Sequence, residues 1–103
     1  GIYFRNESEP MAGHRNLIEN NTIQNNGNQE RGYGIYIDGE THDIKIVDNK
    51  VGDTSPDGEK VQHYGVFIGE KADRITIMGN EFHGNAKAPV KNEAVNAQVE
   101  IAD

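Results

Sequence analysis

Residues 34–51, GIYIDGETHDIKIVDNKV, decide the fold. They hold two short runs of alternating apolar and polar residues, separated by a polar turn that begins at Asp38-Gly39. Alternation of β-branched and aromatic residues is the pattern of a half-buried strand. In the first run Ile35 and Ile37 face inward while Tyr36 and Asp38 face outward. In the second, Ile44 and Ile46 face inward, Asn49 bends the chain, and Val51 points in again.

The same text recurs on both sides. GIYFRNE opens at Gly1 and GVFIGEK at Gly65, offsets of 33 and 31 residues from Gly34. Each is followed by a second echo that reaches an asparagine: NLIENNTI at Asn21, DIKIVDNKV at Asn49 and RITIMGNEF at Asn80. A period in this range marks one supersecondary unit stacked on copies of itself. Ile2 and Phe4, then Ile18 and Ile23, supply the inward positions of the first copy. Val66, Ile68, Ile75, Ile77 and Phe82 supply those of the third. A degraded fourth copy, with an offset of about 22 to 24 residues, places Ala88 and Val90 in one strand and Val99 and Ile101 in another. No segment carries a useful helical period, and Pro89 interrupts the alanine-rich stretch at 86–97.

Stacked copies pair equivalent strands in parallel, about 4.8 Å apart, so each inward position becomes a column of like residues. At Asn21, Asn49 and Asn80 that column is a ladder of amides bonded from rung to rung. The expectation is an all-β solenoid of three full coils and a partial fourth, at about 1–33, 34–64, 65–87 and 88–103. It forms one domain and reads as a segment of a longer array, its ends covered by the C-terminal tail, by further coils or by end-to-end self-association.

Composition narrows the function classes. Hydrophobic residues are 34% of the 103, and mean hydropathy is −0.79. Both suit a thin fold in which every strand donates one face. A net charge of −7 argues against nucleic acid and anionic membranes as partners. No apolar run approaches the roughly 18 residues of a membrane span. Cysteine is absent, which excludes disulfides and thiolate metal sites.

Gly-Ile-Tyr-Ile followed by Ile-x-Ile-x-x-Asn-x-Val resembles the right-handed parallel β-helix repeat of the pectate-lyase-like superfamily. The resemblance covers residues 1–82 closely and 83–103 loosely. It implies the right-handed β-helix fold, an extracellular or cell-surface location, and a range of activities from polysaccharide lyases and glycoside hydrolases to tail spikes and non-catalytic surface proteins. The catalytic signatures of polygalacturonases and the lyase arginine motif are missing here, so no catalytic residue is carried over.

On the outer face of the first strands, Tyr3, Tyr36 and Phe67 align as an aromatic column. Arg5, Asp38 and Gly69 form the next, and Glu7, Glu40 and Lys71 lie at the turn. Ring faces stack on pyranose C–H groups while charged groups fix hydroxyls, which suits a polysaccharide partner. The competing reading is that the rings stack on one another for stability alone. For bond cleavage, Glu7 with Glu40, or Asp38 with Glu40, would supply paired carboxyls, with His42 near either. Separations of about 5 Å suit retention and about 6.5–9.5 Å inversion. A lyase would instead need a base and a cation, for which Arg5, Arg31 and Lys71 are available. Solvated turn carboxylates account for the same residues.

No cofactor is required, although oxygen-rich loops would admit calcium. Asp53 to Gly58 imitates half of an EF-hand loop, but Tyr64 stands at the twelfth position; a proline turn explains the text better. The leading function is recognition, extending to processing, of a polysaccharide. The alternative is a structural or adhesive solenoid segment without substrate.

Overall fold

The computed structural model describes residues 1–5, 14–27, 32–94 and 96–99. The first coil contains β1 (Ile2–Phe4), β2 (His14–Glu19) and β3 (Thr22–Gln24). The second contains β4 (Tyr33–Ile37), β5 (His42–Val47) and β6 (Lys50–Gly52), and the third β7 (Tyr64–Ile68), β8 (Asp73–Met78) and β9 (Glu81–His83). A fourth adds β10 (Ala88–Asn92) and β11 (Asn96–Val99).

Equivalent strands pair in parallel throughout. The first sheet runs β1-β4-β7-β10, the second β2-β5-β8-β11 and the third β3-β6-β9. Register follows the repeat: Ile2, Ile35, Val66 and Val90 share one column, and Ile18, Ile46 and Ile77 another. The sheets enclose one narrow core, in which Ile35, Ile37, Ile44, Ile46, Val51, Val66, Ile68, Ile75 and Ile77 have no exposed surface. In the two central coils the alternate β-branched side chains are thus removed from water, the main favourable term in folding. Ile2, Phe4, Phe82 and Val90 pack against this core from partly buried positions. In the fourth coil Val90 takes the core place, while Ala88 stands in register with Tyr64 instead of a core column. Ile101 and the side chain of Val99 lie outside the described residues.

Left-handed residues recur in two columns, one of which makes a corner. Asn20, Asp48 and Gly79, with φ of 58°, 56° and 69°, turn the chain between the second and third sheets. Asn, Asp and Gly tolerate this conformation best. The amide ladder follows at once: Asn21 and Asn49 each donate their backbone N–H to the carboxamide oxygen of the next rung's asparagine, both at 2.9 Å. Arg15, Asp43 and Arg74, at 54°, 57° and 51°, form a second left-handed column near the start of the second-sheet strands. It breaks the alternation there, so His42 is only partly buried although Ile44, two residues on, is fully buried.

A second amide ladder lies beyond the third sheet. Asn26 donates its backbone N–H (3.1 Å) and Nδ2 (3.2 Å) to Oε1 of the fully buried Gln62, whose Nε2 donates to Oδ1 of Asn85 at 2.9 Å. By strand register the second coil's member would be Thr54, which instead pairs with Asn25. Asp53 makes the exchange possible. Its buried carboxylate accepts from the backbone N–H groups of Ser55 (2.8 Å), Val61 (2.8 Å) and Gln62 (2.9 Å), closing the excursion so that Gln62 returns to the rung. The EF-hand-like text is therefore a closed turn whose first carboxylate serves backbone amides. Burial works against the charge of Asp53, yet these amides hold its carboxyl well below the usual carboxylate range.

Candidate functional site

The outer face of the first sheet carries the largest collection of rings. Each of its two central strands begins with Tyr-Gly and follows the same pattern, Tyr33-Gly34-Ile35-Tyr36-Ile37 and Tyr64-Gly65-Val66-Phe67-Ile68. Two consecutive residues of each strand, Gly34-Ile35 and Gly65-Val66, are buried. The glycines are needed there. A Cβ on Gly34 would lie 3.1 Å from Val51 and 3.0 Å from Gln62 Nε2, and one on Gly65 would lie 2.8 Å from the Phe82 ring. The double inward step leaves Tyr33 on the same side as Tyr36, and Tyr64 on the same side as Phe67.

The predicted column of Tyr3, Tyr36 and Phe67 is in register. Tyr3 meets Tyr36 edge-on at 5.2 Å, and Tyr36 meets Phe67 at 5.2 Å. Tyr33 and Tyr64 extend it sideways. Tyr33 lies 4.6 Å from Tyr36, 5.1 Å from Phe67 and 6.2 Å from Tyr64, while Tyr64 lies 6.0 Å from Phe67. Five rings therefore form one connected surface, within the spacing at which aromatic pairs attract. Reading the strands as simple alternation misses Tyr33 and Tyr64; the recurrence of Tyr-Gly before each apolar pair is the signal that marks them.

Beside the rings at the first coil is a cleft of about 550 Å³, lined by Tyr3, Tyr33, Tyr36, Asn26, Gly27 and Asp38 among others. Asp38 closes its own turn: Oδ1 accepts from the Gly39 N–H at 2.8 Å, and its carbonyl accepts from the Thr41 hydroxyl at 2.8 Å. Arg5 is exposed and immediately follows β1, and Asp38 bonds across to that strand through its N–H and the Phe4 carbonyl. Glu40 and Lys71 occupy equivalent exposed positions in successive turns. Glu7 and Arg31 lie outside the described residues, so the Glu7–Glu40 pair has no geometry here.

His42 belongs to a different group. It sits at the start of β5, stacked on His14 at 5.2 Å, with Nδ1 2.8 Å from Asp43 Oδ2. Arg74 grips Asp43 with two donors, Nε to Oδ1 at 2.7 Å and Nη2 to Oδ2 at 2.8 Å, and also bonds Asp73. Arg74, and then His42, hold the Asp43 carboxyl well below its usual range, while Asp43 pushes the Arg74 guanidinium higher. The arrangement ties the second and third coils across an exposed face.

A family model described as a right-handed β-helix region matches residues 1–103. The chain belongs to the right-handed β-helix family. No curated protein and no solved structure matches it. In this β-helix the rings lie on one sheet, the ion pairs on another, and the asparagine ladder on the corner between the second sheet and the third.

Proposed function

We propose that this β-helix binds a polysaccharide along the outer face of its first sheet. The observation that carries the reading is the connected surface of Tyr3, Tyr33, Tyr36, Tyr64 and Phe67, with its adjoining cleft. Parallel pairing repeats the rings at the strand spacing of about 4.8 Å along the axis, so an extended polymer could pass over successive rungs. Tyrosine adds hydroxyls to the apolar ring face, and Asn26 and Asp38 supply further hydrogen-bonding groups at the cleft. The pectate-lyase-like branch of the family is the part on which this reading draws, with an extracellular or cell-surface location.

The reading is one of binding. Among the described residues lining the cleft, Asp38 is the single carboxylate, whereas glycosidase chemistry uses two. Asp38 with Glu40 remain the residues through which processing would be sought, His42 being engaged with His14 and Asp43 on the second sheet.

A second reading rests on the ring contacts themselves. Tyr33, Tyr36, Tyr64 and Phe67 are each partly buried against one another, as a purely structural solenoid would also have them. Affinity electrophoresis against neutral and acidic polysaccharides separates the two. Tyr36→Ala is expected to weaken binding at least about tenfold, as truncation of a central aromatic anchor does. Binding by no polymer, or by the variant as well as the parent, favours the structural reading.

A further inference from the structure

The aromatic face is not electrically uniform along the β-helix axis, and its C-terminal end is basic. Lys91 stands in register with Phe67, so the column that begins with Tyr3, Tyr36 and Phe67 continues into an ammonium. Val90 beside it packs against the core, which puts the exposed Lys91 on the ring side of β10. In the neighbouring column Ala88 follows Tyr64, and Lys87, just before β10, brings its Nζ to 6.0 Å from the centre of the Tyr64 ring. Two exposed cations thus close the ring surface at the fourth coil, whereas the cleft at the first coil holds Asp38.

We infer that Lys87 and Lys91 form an anion subsite at the C-terminal end of the ring surface, for an isolated carboxylate or sulfate on an otherwise neutral glycan. This rests on the polysaccharide reading above and adds the class of polymer. The rings offer uncharged faces to neutral pyranoses, and the lysines offer a charge only where the rings end. A uniformly charged polymer fits poorly. The net charge of −7 repels it at long range, and its acidic units would also lie over Asp38. An isolated acidic unit at the fourth coil meets Lys87 and Lys91 where the rings end.

The test uses pairs of polymers with the intact chain: hydroxyethyl cellulose with sparsely substituted carboxymethyl cellulose, and arabinoxylan with glucuronoxylan. A lightly sulfated cellulose distinguishes sulfate from carboxylate, and polygalacturonate is the fully charged case. The sparsely acidic member is expected to bind about three- to tenfold more tightly than its neutral partner, two exposed charge pairs being worth a few-fold each. The gain should vanish in Lys87→Gln/Lys91→Gln and at about 0.5 M salt, where the screening length is only a few ångströms. Neutral binding should persist in both cases. Both lysines are exposed, and an unchanged melting temperature for the double variant confirms that it folds.

A gain that survives the double substitution, or polygalacturonate binding most tightly, overturns the subsite while leaving the ring surface intact. Loss of all binding in Tyr36→Ala with no effect of the lysines has the same meaning. Failure of every polymer to bind the parent chain overturns the polysaccharide reading, and the subsite with it.

Discussion

The carboxamide oxygen of Asn80 accepts two hydrogen bonds from Asn49, one from its backbone N–H and one from Nδ2, both at 2.9 Å. Asn49 also donates Nδ2 to the Ile18 carbonyl at 2.9 Å, and Asn80 donates its own to Ile46 at 2.9 Å. Asn49 therefore links its rung to the rungs on either side, whereas the Asn80 side chain bonds to the second rung and to the Met78 carbonyl of its own coil. Asn21, in the first rung, also donates Nδ2 to Asn49 Oδ1 at 3.2 Å, but its other Nδ2 bond goes to the Glu19 carbonyl of its own coil, and it is exposed.

From this asymmetry Asn49→Ala should cost about 2–4 kcal/mol, because it strands buried donors and acceptors on two neighbouring rungs. For a chain of this size the melting temperature should fall by more than about 10 °C. Asn21→Ala should cost less than half as much. Equal losses in thermal melts of the two variants would contradict the account.

Asp53 predicts a defined response to acid. Its carboxyl is held below the ordinary value by backbone amides, so the unfolded chain takes up the proton more readily than the folded one. The stabilisation is complete above the unfolded value of about 3.9 and is lost as pH falls through the lower folded value. Asp53→Asn should cost about 2 kcal/mol at neutral pH. Urea midpoints from pH 7 to 2 should show the gap between parent and variant closing below about pH 4.

Tyr3 and Tyr33 should separate binding from stability. Tyr3 is 59% exposed and touches Tyr36 at the edge of the ring surface. Tyr33 contacts three rings and is partly buried. Tyr3→Ala is expected to weaken glycan binding with less than about 0.5 kcal/mol of destabilisation. Tyr33→Ala is expected to lower both, the second by about 1–3 kcal/mol. Paired melts and affinity gels check this.

Gly34 tests the double inward step. An added Cβ would fall 2.7 Å from the Gly65 carbonyl oxygen, with Gln62 and Val51 close behind. Gly34→Ala should therefore destabilise by about 1–3 kcal/mol through overpacking, despite alanine's lower unfolded-chain entropy. A neutral or stabilising result would mean that the strand can shift to admit the methyl.

By itself, the sequence determined the three-sided stack. The isoleucines repeat with period two inside strands and with period near 31–33 between them, and only parallel stacking satisfies both. The asparagine column and the alignment of Tyr3, Tyr36 and Phe67 follow from that spacing. Tertiary structure decided what depends on loop length and on breaks in alternation. Gln62 enters the second ladder because Asp53 closes the loop before it. Tyr33 and Tyr64 join the rings because Gly34 and Gly65 can turn inward beside bulky neighbours. Ala88 falls opposite Tyr64, and Lys91 beyond Phe67, because the last coil is shorter. Local pattern fixes which face of a strand is dry, but the register between strands some thirty residues apart is settled only when every intervening turn has closed.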